Sequence, residues 1–164
     1  MKRLVVLLSL VGVVGLGVAL AAAAGGNSAK VLKFQGMAPV VAPFTGTTNP
    51  IRGLNGGGVP WSIESGTGFL RADGWLHVEV QGLIIPARGN NPISAFRGVV
   101  NCLTPDSPTN GVNLVTDPFP ATMTGDATID AAVDLPETCV APIVSVTNGT
   151  GSPPGAWFAT TGAG

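Results

Sequence analysis

One histidine, nine carboxylates, two cysteines and three tryptophans are the side chains through which this chain could react or recognise a ligand. His77 is the single imidazole available for acid–base work. A Ser-His-Asp arrangement also needs a positioned nucleophile, and no G-x-S-x-G turn is present. Ser65, in Glu64-Ser65-Gly66-Thr67-Gly68, is its nearest imitation, and it falls in a strand pattern. Glu64 and Glu79 fall on segments that read as neighbouring strands, and paired carboxylates can cleave a glycosidic bond. These residues define one reading, a small extracellular hydrolase.

The other residues point elsewhere. Asp126, Asp130 and Asp134 recur at every fourth position. On a strand that spacing puts them on one face but about 13 Å apart, at roughly 3.3 Å per residue. One cation needs oxygens at about 2.4 Å, so the three cannot share it unaided. Asp126 and Asp130 are the only metal candidates, and a solvated strand face that discourages edge pairing is the simpler expectation. Cys102 and Cys139, without a C-x-x-C spacing, are expected to form a disulfide across 37 residues. Trp61, Trp75 and Trp157 would make a sugar-stacking platform if exposed together. The loop Gly53-Leu54-Asn55-Gly56-Gly57-Gly58 lacks the Gly-Lys-Ser/Thr of a phosphate loop, but a long loop can carry recognition, here through Asn55. Asn148-Gly149-Thr150 is a glycosylation sequon, relevant only in a host with that machinery. No cofactor motif is present.

These groups must be positioned by strands. Gly and Pro number 24 and 14, turn signals recur about every ten residues, and the segments between are β-branched or alternating. The expected fold is all-β: an antiparallel β-sandwich, Ig-like or jelly-roll-like, of about eight strands. Lys30–Gln35 and Pro39–Phe44 read as the first strands, the second an edge strand because of its prolines. Trp61 to Ile85 reads as two runs around the hairpin dipeptide Asp73-Gly74. In the second run Leu76, Val78, Val80 and Ile84 should face the core, and Trp75, His77, Glu79 and Gln81 the solvent. A three-residue bulged turn pairing Leu70 with Leu76 is preferred over a two-residue turn, because it matches apolar with apolar. Ile93–Leu103 reads as a buried strand and Asn113–Thr116 as a short one. Gly125–Leu135 alternates, with its aspartates outward, and Cys139–Thr147 and Ala156–Thr161 complete the set.

Composition bounds the function. Charged residues make up 10% against a usual quarter or so, and six scattered basic residues remain after residue 24, which excludes nucleic acid as a partner. Lys2 and Arg3 precede an uncharged run from Leu4 to Ala24 that ends in small residues. That is the pattern of a signal peptide, 1–24, cleaved after Ala24 or Gly26. An uncleaved anchor is the alternative, weakened by Gly12, Gly15 and Gly17. The membrane is then met only through this segment during export, and residues 25–164 form a single domain.

Gly53-Leu54-Asn55-Gly56-Gly57-Gly58-Val59-Pro60-Trp61, Asn91-Pro92-Ile93-Ser94-Ala95-Phe96-Arg97, Cys139-Val140-Ala141-Pro142-Ile143-Val144 and Gly155-Ala156-Trp157-Phe158-Ala159 together resemble a family of uncharacterised secreted bacterial proteins. That family has no established activity to carry over. Gly68–Leu83, a strand, an Asp-Gly turn and a strand ending in Gly-Leu, resembles the repeating hairpin of CHRD domains, although the histidines usual after it there are missing. The expectation is a secreted or cell-envelope-associated, non-catalytic binding or structural domain. Its partners would be a carbohydrate, an envelope component or a second copy of itself.

Overall fold

The computed structural model describes residues 28–162, so the export segment and its cleavage site lie outside the described residues. Among the described residues there are ten strands and no helix: β1 (Lys30–Phe34), β2 (Ala38–Pro39), β3 (Ser65–Arg71), β4 (Trp75–Gln81), β5 (Ala95–Thr104), β6 (Ser107–Val115), β7 (Phe119–Pro120), β8 (Ala127–Ala132), β9 (Val140–Asn148) and β10 (Trp157–Thr160). They form two antiparallel sheets. One has four strands in the order β1-β3-β4-β8. The other has six, in the order β2-β10-β9-β5-β6, with β7 against β5. The architecture is the expected β-sandwich, with ten strands where about eight were read.

The β3–β4 hairpin shows how local chemistry sets register. The Gly74 N–H donates to the Arg71 carbonyl at 3.0 Å, and Gly74 sits at φ +84°, a conformation that side chains disfavour. This is the three-residue turn with a left-handed glycine, and it pairs Leu70 with Leu76 as expected. On β4 the alternation follows: Leu76, Val78 and Val80 are buried, while Trp75, Glu79 and Gln81 are exposed. β8 repeats the pattern, with Ala127 and Ile129 inward and Thr128, Asp130 and Ala132 outward. Both strands therefore present one wet face and one dry face.

The dry face packs on the six-stranded sheet. Gly98 of β5 lies so near that sheet's partner that an added Cβ would stand 2.8 Å from Leu76 Cδ2 and 3.4 Å from Ile129 Cγ2. At one end Trp61 stacks on Phe158 with centroids 4.0 Å apart, and Phe96 meets both edge-on. Cys102 on β5 is bonded to Cys139 just before β9, with Cα atoms 4.8 Å apart. A disulfide fits a non-reducing environment. No helix among the described residues is long and apolar enough to cross a membrane.

Four details differ from the sequence expectation. Ile84 does not share the inward face of β4. Gly82 takes φ +64° and ends the strand, which shifts the alternation by one, so Leu83 is fully buried and Ile84 only half-buried. Pro39–Phe44 is not a strand beyond Pro39, because the Phe44 N–H turns back onto the Val41 carbonyl. The short strand read at Asn113–Thr116 is the end of the nine-residue β6, whose earlier part is held by pairing with β5 from Thr104↔Ser107 onward. Tertiary pairing there overrides the turn-forming Ser-Pro-Thr-Asn. Phe119–Pro120, where the sequence signals no strand, pairs with Ala95 and Phe96.

Candidate functional site: the outer face of the four-stranded sheet

The outer face of the six-stranded sheet is covered at its centre. Asn101, Ser145 and Thr147 on it are buried, and the Ser145 and Thr160 hydroxyls bond each other at 2.8 Å. Arg52, from the long loop after β2, reaches across it. Its Nη1 donates to the Ala141 carbonyl at 2.7 Å and to Asn101 Oδ1 at 3.2 Å. Burial lowers the pKa of this guanidinium from its usual value. The four-stranded sheet has no such roof.

Its register lays outward side chains in rows across the strands. Lys33, Phe69, His77 and Asp130 form one row, and Thr67, Glu79 and Thr128 the next. Phe69, His77 and Asp130 of the first row are in continuous contact, with Lys30 from the start of β1 in the place of Lys33. Lys30 Nζ lies 4.1 Å from the centroid of Phe69, Phe69 and His77 stack at 5.3 Å, and His77 Nδ1 is 2.7 Å from Asp130 Oδ1. A carboxylate only accepts, so Nδ1 carries the proton and donates it. A pair this exposed contributes about 0.2–1 kcal/mol. His77 thus has the cross-strand role expected for an outward strand residue.

A His–Asp pair is two-thirds of a hydrolytic triad, but Ser65 does not complete it. Ser65 pairs with Gln81 and donates to its Oε1 at 3.3 Å. It lies four residues along β3 from the His77 row, about 13 Å away, where transfer to the imidazole requires hydrogen-bond contact.

Two open hollows flank the rows. The larger, about 600 Å³, is lined by Glu64, Glu79, Gln81, Thr122, Asp126 and Thr128, with Pro120 at its wall. The other, about 490 Å³, is lined by Lys33, Gln35, Thr67, Phe69 and His77. Glu64 and Glu79 therefore share a hollow, and His77 belongs to a different one. Asp126 is fixed within the first. It accepts from the Thr124 hydroxyl at 2.7 Å, the Gly82 N–H at 3.0 Å and the Thr122 hydroxyl at 3.4 Å. The Thr124 bond first, then the Gly82 bond, lower its pKa below the usual carboxylate range, against a small opposing effect of burial.

A folded-state pKa below the unfolded one stabilises the fold once pH exceeds the unfolded value of about 4. That stability is lost as pH falls through the lowered folded value. Asp126→Asn is accordingly expected to destabilise at neutral pH and to change little in strong acid. Urea unfolding at both pH values checks this, and an equal loss at both would assign the effect to packing.

Asp126 and Asp130 face different partners, and among the described residues no group of three His, Cys, Asp or Glu side chains could hold a metal ion. The tryptophans do not meet as a platform: Trp61 and Trp157 are buried, and Trp75 alone is exposed, at 39%. Trp61 is core because it stacks on Phe158, which corrects its assignment as a ligand contact. Asn55 is exposed and lines a separate hollow of about 270 Å³ with Gly53, Leu54 and Pro154. The residues that the sequence reading missed are Lys30, Lys33, Phe69 and Thr128. Phe69 and Thr128 follow from the alternation once the Leu70–Leu76 register is taken, whereas the lysines depend on β1 pairing with β3, which no local signal announces. No family model matches this chain, and no curated protein or solved structure does either.

Proposed function

We propose that the protein is an exported, non-catalytic binding or structural β-domain, acting outside the cell or in the cell envelope, with the outer face of its four-stranded sheet as the recognition surface. The observation that carries this reading is the dispersal of the reactive groups over an open face: Glu64 and Glu79 on one hollow, His77 on another, and Ser65 four residues along β3 from the His77 row. Such a face offers many hydrogen-bonding side chains and one exposed indole, Trp75, the equipment for holding a polar polymer such as a polysaccharide. Co-sedimentation with insoluble envelope and plant polysaccharides tests it. Retention is expected on at least one of them, and Trp75→Ala should weaken it about tenfold, equivalent to about 1.4 kcal/mol. Retention of none, or a Trp75→Ala variant that binds as well as the parent, would remove the surface from consideration.

One observation favours a second reading. Glu64 and Glu79 do line a common hollow, as two carboxylates of a glycoside hydrolase would. In that case polysaccharide incubation releases reducing ends, and Glu79→Gln abolishes the release while leaving the thermal unfolding temperature unchanged.

A further inference from the structure

The four-stranded sheet ends in two edges without a hydrogen-bonded neighbour, β1 and β8, the second with β7 packed near it, and among the described residues no backbone group of 30–34 or 127–132 bonds beyond its own sheet. The two edges differ in sign. β1 carries exposed Lys30 and Lys33, while β8 carries Asp130, with Asp126 just before it and Asp134 just after. Each pairing in the sheet is antiparallel, so β1 and β8 run in opposite directions. A second copy set beside the first in the same orientation therefore brings its β1 antiparallel to β8.

We propose that the β8 edge of one molecule docks on the β1 edge of a second copy, extending the sheet from molecule to molecule. Continuing the observed rows puts Lys33 of the next copy opposite Asp130, on the outer face. On the core side it sets Phe34 beside Ile129 and Leu32 beside Ala131. Charge and pleat agree in this register, and a slip by one residue spoils both. Charged residues normally keep sheet edges apart. Here they also choose the partner. β8 against β8 opposes aspartate with aspartate, and β1 against β1 opposes lysine with lysine, so only unlike edges meet without repulsion. The contact is head-to-tail and leaves a free edge at each end, which builds a string rather than a closed dimer. It is independent of the ligand reading above. β6, one edge of the other sheet, is uncharged within its bounds and flanked by Asp106 and Asp117, so it offers no basic partner to the β8 edge.

Sedimentation velocity of the purified protein tests this over a range of concentration at low and high salt. At low salt the mean mass should climb with concentration without reaching a plateau at the dimer, and high salt should reverse it. Asp130→Lys alone and Lys33→Glu alone should each abolish the climb, and an equimolar mixture of the two variants should restore it, since each supplies the edge the other has lost. Hydrogen exchange of the unmutated protein gives a readout that needs no variant. Concentration-dependent protection should appear at β1 and β8. A strictly monomeric protein, single variants that still assemble, or protection confined to β6 would each overturn the proposal.

Discussion

Replacing Phe96 by Ala is expected to lower the free energy of unfolding by about 3–5 kcal/mol. Phe96 is fully buried on β5, with its ring centroid 5.9 Å from Phe158 and 6.5 Å from Trp61. The loss comprises the transfer free energy of the ring and the cavity left behind. The second contribution depends on whether neighbours can close in. Here they are held. Trp61 and Phe158 are stacked on each other at 4.0 Å, and the Phe96 backbone is paired with Asn148 on one side and Phe119 on the other. Urea unfolding should show a lower midpoint with an unchanged slope. A loss below about 1 kcal/mol would mean that the aromatic cluster is free to collapse, contrary to this packing.

Loss of the disulfide is expected to be almost as severe. The Cys102–Cys139 bond closes a loop of 37 residues, which in the chain-entropy account stabilises by about 3–4 kcal/mol. For a domain of this size that lowers the unfolding temperature by on the order of 10 °C. The double variant Cys102→Ala, Cys139→Ala should show the shift in calorimetry. Reductant should reproduce it in the parent and have no effect on the variant. Cys102 is fully buried, so the parent should resist reduction while folded. Rapid reduction of the native protein, with no change in stability, would mean that the bond constrains little.

These two effects bracket what was legible in the chain. The pairing of Cys102 with Cys139 follows from there being two cysteines, and the β3–β4 register from apolar matching around Asp73-Gly74. The wet and dry faces of β4 and β8 follow from a period of two. Ile84 was misread because one glycine, Gly82, leaves the strand conformation and resets the period, and a glycine in an alternating run can also continue it. Trp61 is open between core and ligand surface in the sequence because aromatic residues serve in both, and its burial against Phe158 separates the two. Ser107–Asn110 gives no strand signal because its residues favour turns, yet β5 supplies a partner strand.

At the outer face the same division holds. Alternation alone sends His77 outward, but it says nothing of Asp130, 53 residues away, or of Phe69 and Lys30 stacked behind the ring. Nor does it say that Glu64 and Glu79 open on one hollow and His77 on another. The amino-acid sequence by itself determined the class of fold, the covalent closure, the turn that sets the first hairpin and which side of each strand is wet. Only the tertiary structure decided which strands are neighbours, which face stays uncovered and which charges end on opposite edges. The physical reason is range. Side-chain direction and turn geometry are settled within a few residues, whereas strand order depends on closing long loops, a cost that only the assembled core of both sheets offsets.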